Sequence, residues 1–164
     1  MTKILLIHGA AHGAWCWRDT LPELQKLGHT VKAIDLPGHG DDTTPTNNVT
    51  LDLYSDAIIA ALDEPMVVVG HSMAGFPISL AAQQRPDLFQ RLISLCAYVP
   101  KAGYTLSNMR REAPRQLLAG AFQRADDGKS FSFDRAHVKD RFYADCTDEQ
   151  IELAKKSLCP QAIQ

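Results

Sequence analysis

The chain of 164 residues lacks several features that mark whole classes of protein. No apolar run approaches the ~18 residues of a membrane-spanning helix, and no signal-peptide pattern precedes the first apolar segment, which begins almost at Met1. The four cysteines, Cys16, Cys96, Cys146 and Cys159, form no C-x-x-C pair. Scattered cysteines of this kind are typical of free thiols in a reducing compartment. These absences predict a cytoplasmic protein with no membrane partner.

The chain also lacks an excess of positive charge. Its formal net charge is −2, with 22% charged residues, so it has no electrostatic reason to bind nucleic acid. Its 45% hydrophobic residues are enough to build a core. Basic residues are concentrated between Lys101 and Arg124, where five of them accompany a single acidic residue, Glu112. Such a run is usually a solvated face, and we interpret it in that way here.

Over the first hundred residues, apolar segments alternate with amphipathic ones. This alternation predicts an α/β fold with a mainly parallel sheet flanked by helices. The predicted strands lie at 4–8, 29–35, 66–71 and 92–99. The predicted helices lie at 15–27, after Thr50 as a cap, and after Ser72.

The most informative segment is the run Met66-Val67-Val68-Val69-Gly70-His71-Ser72-Met73-Ala74-Gly75. A buried strand ends there in a serine flanked by small residues, which allow a strained turn from strand to helix that exposes the hydroxyl. The pattern is G-x-S-x-G with alanine in the last position and glycine one residue later. A chance serine in a loop is the alternative, but the pattern predicts a nucleophile for acyl transfer.

A second segment, residues 8–15, follows the first predicted strand as a glycine-punctuated loop. Such a loop can direct backbone N–H groups at an oxyanion, although an ordinary tight turn has a similar composition. A loop and an elbow in this order, about sixty residues apart, are more specific together than either is alone.

Three motifs carry a resemblance to the α/β-hydrolase superfamily: strand-His8-Gly9, the segment Asp35-Leu36-Pro37-Gly38-His39-Gly40, and the elbow itself. The segment at 8–17 looks like the branch of plant methyl-ester esterases, plant hydroxynitrile lyases and their bacterial esterase relatives, and segments 142–146 and 152–155 resemble the helical cap of that branch. The resemblance implies that Ser72 is the nucleophile and that the N–H groups of Ala10 and Met73 form the oxyanion hole. It implies no cofactor and no metal.

Two partners of a serine nucleophile are not recognisable in this sequence. The family order is serine, acid, histidine, but only His137 follows Ser72, and its context resembles the cap surface. The acid also stays unassigned, because the aspartates after the elbow read as exposed carboxylates: Asp126, Asp127, Asp134, Asp140, Asp145 and Asp148. We therefore expect residues 1–100 to be the N-terminal part of a hydrolase core, residues 101–164 to be a helical cap without further apolar strands, and the C-terminal part of the core to be missing.

The sequence favours a serine carboxylic-ester hydrolase that acts on a small-molecule ester. Two other functions stay open. Hydroxynitrile lyases of this group resemble the chain but carry threonine at the position of Gly9, so cyanohydrin cleavage would lose a polar contact here. The third hypothesis is a ligand-binding module on a catalytically incomplete hydrolase fold. The oligomeric state, monomer or homodimer, is not determined by the pattern.

Paired histidines raise the question of a metal site. His8 and His12 span a strand end and a loop rather than one helical face, which is not the arrangement of a zinc site. For His39, Asp41 and Asp42 we expect hydrogen bonds that brace the loop. His71, next to the serine, is expected to brace the elbow rather than act as the base.

Overall fold

A computed structural model describes residues 1–163 of the chain. Its strands are β1 Lys3–Ile7, β2 Thr30–Ile34, β3 Met66–His71, β4 Phe89–Leu95, β5 Phe122–Arg124, β6 Ser130–Phe133 and β7 Gln161–Ala162. Its α-helices are α1 Thr20–Lys26, α2 Leu51–Ala60, α3 Gly75–Gln84, α4 Leu106–Glu112, α5 Val138–Phe142 and α6 Asp148–Ser157. Within these residues, no helix is both long and apolar enough to cross a lipid bilayer.

The first four strands form one parallel sheet in the order β2-β1-β3-β4. Alternate side chains of β1 enter two different cores. Leu5 and Ile7 pack on the face of the sheet that α2 and α3 cover. Ile4 and Leu6 pack against Trp17 on the other face, which α1 covers. Because both faces are covered, the strand is apolar from Ile4 to Ile7, after Lys3 at its start. The predicted parallel sheet flanked by helices is confirmed.

Helix α2 shows how the local sequence sets a helix start. Thr50 lies just before it in extended backbone, and its side chain accepts a hydrogen bond from the N–H of Leu53 at 3.1 Å. Asp52 adds negative charge to the first turn, where the helix dipole favours it. Tyr54 and Ile58 then lie on one face and are fully buried. The helix predicted from Thr50 is confirmed.

Several predicted boundaries differ from the structure. The region 15–27 is a short 3-10 helix, Ala14–Trp17, followed by the separate helix α1, because proline at position 22 suits only a first helical turn. The fourth strand covers Phe89–Leu95 rather than 92–99. Strand β4 is the last strand on its side of the sheet within residues 1–163, and its Ile93 and Leu95 are 38% and 43% exposed.

The segment after Pro100 is helical as expected, with α4, α5 and α6, but the prediction that it holds no further strand is wrong. Strands β5, β6 and β7 form an antiparallel sheet. These strands have only two to four residues each, too few to produce a recognisable period in the sequence. The sheet carries a cluster of aromatic rings, with centroids of neighbouring rings 4.3–5.7 Å apart: Phe122, Phe131, Phe133 and Phe142.

Candidate active site

The parallel pairing of β1 with β3 brings the two predicted site segments together. Ile7 lies opposite Gly70 in the register, so the loop after β1 and the turn after β3 leave the sheet at the same edge. The approach is close: a Cβ atom on Gly9 would lie 3.1 Å from the Cβ of Ser72. Two segments about sixty residues apart in sequence therefore form one site.

Ser72 occupies a turn that few side chains adopt. Its φ of 55° lies in the left-handed region, and a 3-10 helix, Ser72–Ala74, leads from it directly into α3. Such a conformation costs on the order of 1–3 kcal/mol and persists only where the surroundings impose it. Gly70 provides the space, because a Cβ there would lie 2.5 Å from the Cδ1 of Ile78 on α3. The turn has the geometry expected of a nucleophile elbow.

The displaced glycine of the motif has a structural reason. Gly75 has ordinary helical backbone, with φ −55°, so it is not needed for its torsion angles. It is needed for space, because a Cβ at this position would lie 2.0 Å from the carbonyl oxygen of Tyr98. The N–H of Tyr98 in turn donates to the carbonyl oxygen of Ser72 at 3.0 Å. The segment after β4 thus lies directly against the elbow.

Ser72, Ala10 and Met73 all line one cavity of about 310 Å³. The N–H of Ala10 has no hydrogen-bond acceptor within residues 1–163. The N–H of Met73 belongs to the first turn of a helix, where backbone donors have no partner inside the helix. All three residues predicted for the site are therefore at the wall of the same cavity, with backbone donors available to a ligand.

The loop that carries Ala10 is held by side chains on both sides of it. The Nδ1–H of His12 donates to the carbonyl oxygen of Ala10 at 2.8 Å, and the hydroxyl of Tyr143 donates to Nε2 of the same ring at 2.8 Å. Ala11, with φ 60°, donates its N–H to Oε1 of Gln161 at 3.0 Å, and its carbonyl oxygen accepts from the N–H of Cys159. The segment after Pro100 thus contributes directly to the conformation of this loop.

Gln161 lies at the centre of a buried hydrogen-bond network. Its Oε1 accepts from Nε2–H of His39 at 3.0 Å as well as from Ala11. Its Nε2 donates to the hydroxyl of Tyr54 at 3.1 Å and to the carbonyl oxygen of Ala162 at 3.2 Å. Sequence reasoning did not connect Gln161 or Tyr143 with this loop, although Tyr143 lies in the segment 142–146 that resembles the cap. The side chains and loop atoms that they bind around the loop are more than a hundred residues away in sequence.

Replacing Gln161 by methionine is expected to lower the free energy of unfolding by about 2–4 kcal/mol. Methionine preserves the volume but leaves the buried N–H of Ala11 without an acceptor and the hydroxyl of Tyr54 without its donor, at about 1–2 kcal/mol each. Urea denaturation measures the change. Gln123→Met, at an exposed position on β5, is the matched control and should change stability by less than about 0.5 kcal/mol. Equal stability of the two variants would contradict the network.

Burial keeps His8 and His12 neutral. It lowers the pKa of His8 to about 3 and that of His12 to about 4, because charging an imidazole away from water is unfavourable. His8 donates through Nδ1 to the carbonyl oxygen of Gly9 at 2.8 Å and accepts at Nε2 from the N–H of Leu36 at 3.1 Å. Both of its ring nitrogens thus serve to join the two loops.

The loop at 38–42 shows the bracing hydrogen bonds that the sequence favoured. Asp42 accepts from the N–H groups of Gly38 and Thr44 at 2.7 and 2.8 Å. These bonds hold the pKa of its carboxyl below the ordinary value. Asp41 donates its N–H to Asp35 at 3.1 Å. In the part of the chain that the structure describes, no group of three or more His, Cys, Asp or Glu side chains could hold a metal ion.

No histidine among residues 1–163 is hydrogen-bonded to the hydroxyl of Ser72. His71 lies beside Gly9 and edge-on to Trp17, with ring centroids 6.4 Å apart, and burial lowers its pKa. His137 ends a short 3-10 helix in the segment after Pro100 and does not line the cavity, as expected for a residue of the cap surface.

The aspartates after the elbow are exposed, apart from the half-buried Asp134. Its side chain accepts from the N–H of Ala136 at 2.9 Å and so starts the 3-10 helix that ends at His137. None of the seven aspartates after the elbow, including Asp87 in its pair with Arg85, lines the cavity that holds Ser72. The acid that would orient a catalytic histidine is therefore not found among the described residues.

Comparison with known proteins places these observations in a family. Residues 4–161 match the model of the alpha/beta hydrolase family. Methylesterase 2 of Arabidopsis thaliana is 31% identical over 164 residues, and the match covers 91% of this chain and 62% of that protein. Norfluorocurarine synthase 1 of Strychnos nux-vomica is 30% identical over 172 residues, covering 95% and 65% respectively. The chain thus spans less than two thirds of the length of these curated relatives.

Solved structures of other hydrolases have the same fold as this chain. The methylesterase MES16 from Arabidopsis superimposes with a TM-score of 0.82 at 22% identity, over 99% of this chain and 67% of that one. The pyrethroid hydrolase PytH superimposes with a TM-score of 0.84 at 26% identity, over 99% and 68%. With the parallel sheet, the strained serine turn after β3 and the family match over residues 4–161, the chain belongs to the alpha/beta hydrolase family.

Proposed function

We propose that this protein is a serine carboxylic-ester hydrolase that acts on a small-molecule ester through an acyl-enzyme on Ser72. The observation that carries the proposal is the position of Ser72, which has a left-handed φ of 55° and lines the same cavity as the unbonded N–H of Ala10. A side chain held in such a turn at a helix start is the arrangement that acyl transfer requires.

In the proposed reaction, the oxygen of Ser72 attacks the ester carbonyl while a general base takes its proton. The N–H groups of Ala10 and Met73 donate to the oxyanion that develops, the alcohol leaves, and water then hydrolyses the acyl-enzyme to the acid. No histidine among residues 1–163 is hydrogen-bonded to the hydroxyl of Ser72, so the general base stays unassigned. We further propose that residues 101–164 form a lid over residues 1–100.

The curated relatives favour methyl esters as first substrates. Methylesterase 2 and Methylesterase 1 of Arabidopsis thaliana are 31% and 30% identical to this chain, and their names state the bond that those proteins cleave. A methyl leaving group is small, so the acyl part of the ester would occupy most of the cavity of about 310 Å³.

The lyase alternative is disfavoured by the backbone at Gly9. A Cβ at this position would lie 3.1 Å from both Nδ1 of His71 and Cβ of Ser72, which is tighter than nine in ten contacts of real Cβ atoms. A threonine there would therefore require His71 or Ser72 to shift by a few tenths of an ångström. Release of cyanide from mandelonitrile by this protein would favour the lyase after all.

A fluorophosphonate probe separates an esterase from a ligand-binding module. The probe phosphorus bonds to an activated serine oxygen and fluoride leaves, whereas an unactivated hydroxyl does not react. We expect the protein at its natural length to take up one label per molecule, located on Ser72 by mass spectrometry of its peptides. Folded protein that stays unlabelled would reject the esterase and favour the binding module.

A further inference from the structure

Three arginine side chains line the cavity that holds Ser72. Arg110 and Arg111 come from α4, and Arg124 comes from β5. No aspartate or glutamate among the described residues lines this cavity. Within residues 1–163, none of the three guanidinium groups is in an ion pair with a carboxylate. The cavity therefore has a one-sided positive lining.

Each of the three side chains has a contact that orients it, although Arg111 and Arg124 are exposed. The guanidinium of Arg110, which is half-buried, lies over the ring of Phe122 at 4.8 Å from its centroid. Arg111 donates to the side-chain oxygen of Asn108, and Arg124 donates to the carbonyl oxygen of Gly128 at 3.1 Å. Each guanidinium has five N–H donors, so donors remain available after these contacts.

Four of the five basic residues are exposed, as the sequence suggested for a solvated face: Lys101, Arg111, Arg115 and Arg124. Arg115 does not line the cavity, and the ammonium of Lys101 lies over the ring of Tyr104 at 3.8 Å. Arg110, Arg111 and Arg124 differ from these two because they line the cavity, together with several aromatic side chains. Unbalanced positive charge at such a wall favours a bound anion, and guanidinium groups match the planar carboxylate.

We propose that the substrate is an ester whose acyl part carries a second, ionised carboxylate, that is, a monoester of a dicarboxylic acid. Ser72 reacts with the ester carbonyl, the apolar part of the chain lies along the phenylalanine cluster, and the remote carboxylate binds Arg110 together with Arg111 and Arg124. This inference rests on the proposed esterase function for the position of the reacting carbonyl. The anion site itself does not depend on turnover.

The first test compares monomethyl esters of unbranched dicarboxylic acids, from four to ten carbons, each with the neutral monoamide of the same length. The two members of a pair differ only in charge. We expect at least one acid to have a kcat/KM at least about fivefold higher than that of its amide at low salt, and the ratio to shrink toward one in 0.5 M NaCl. Ratios at or below one for all lengths would overturn the proposal.

Variants then assign the preference to its residue. Arg110→Met, which keeps the apolar stem, is expected to reduce the acid-to-amide ratio at least about threefold, and Arg110→Lys to restore part of it. Because both esters are measured on one preparation, any loss of folded protein cancels in the ratio. Arg115→Met, in the same basic run but outside the cavity wall, is the matched control. An unchanged ratio in Arg110→Met and in the triple variant with Arg111→Met and Arg124→Met would contradict the assignment.

A second measurement does not require catalysis. Calorimetric binding of the same ester pairs to Ser72→Ala protein should show tighter binding of the acid, and Arg110→Met in that background should remove the difference. If the acid is preferred in binding but no ester is hydrolysed by the natural protein, the esterase proposal fails while the anion site stands. If esters are hydrolysed without preference for the acid in either measurement, only the anion site fails.

Discussion

Ser72→Ala is expected to reduce the turnover of methyl and p-nitrophenyl esters by the natural protein at least about 10³-fold. The variant removes the oxygen to which the acyl group would be attached, and losing the nucleophile of a serine hydrolase leaves only the contribution of the oxyanion donors and of binding. Initial rates at saturating ester, corrected for the spontaneous reaction, measure the effect. The folded fraction is checked by circular dichroism on the same preparation.

The control for this variant is Ser79→Ala, on the same helix. The hydroxyl of Ser79 donates to the carbonyl oxygen of Gly75 at 2.7 Å and does not line the cavity, so its loss should leave turnover within about twofold. Ser72→Gly should be as inactive as Ser72→Ala. It should be more stable than Ser72→Ala by about 1 kcal/mol, since glycine adopts a φ of 55° without strain. Appreciable turnover by either inactive variant would remove Ser72 from the mechanism.

Gly75→Ala is expected to lower the free energy of unfolding by about 3 kcal/mol and to impair turnover as well. The added methyl carbon would lie 2.0 Å from the carbonyl oxygen and 2.9 Å from the carbonyl carbon of Tyr98. Both are backbone atoms, so neither can rotate away, and either α3 or the segment after β4 must shift. Tyr98 lines the cavity and its N–H donates to Ser72, so the shift would reach the proposed nucleophile. Urea denaturation and ester kinetics measure the two effects.

Gly28→Ala serves as the comparison for the glycine effect. Gly28 has φ 85°, but a Cβ there would have no neighbour within 4 Å. Gly28→Ala should therefore lower the free energy of unfolding only through backbone strain, by about 1 kcal/mol, and should leave turnover unchanged. If Gly75→Ala proves no more destabilising than Gly28→Ala, the close approach of Tyr98 to the elbow is not what requires a glycine.

The sheet and the elbow could be predicted because their signals are local. A run of β-branched residues followed by Gly70 and Ser72 has few other structures open to it, and the cap at Thr50 acts on an N–H only three residues away. The reason for Gly75 could not be predicted in this way. It depends on Tyr98, which approaches only after β4 has paired with β3.

The segment after Pro100 was predicted less well. The helical expectation was correct for α4, α5 and α6, but the short strands β5, β6 and β7 were missed. Their pairing joins β5 to β6 and β6 to β7, the last of which lies about thirty residues further along the chain. The interpretation of the basic run as a solvated face agrees with the exposure of Lys101, Arg111, Arg115 and Arg124. It did not indicate which arginines line the cavity, because the fold of this segment determines that.

By itself, the sequence determined the alternation of strands and helices and the family resemblance, because each depends on periodicity or on a motif within one short segment. The prediction of Ser72, Ala10 and Met73 as site residues follows from that resemblance. Only the tertiary structure decided that Ala10 and Ser72 share one cavity, that Gln161 and Tyr143 hold the loop between them, and that Arg110 faces the cavity wall. The physical reason is that these relations are contacts between distant parts of the chain, and such contacts exist only once parallel strands have brought their carboxyl ends to one edge.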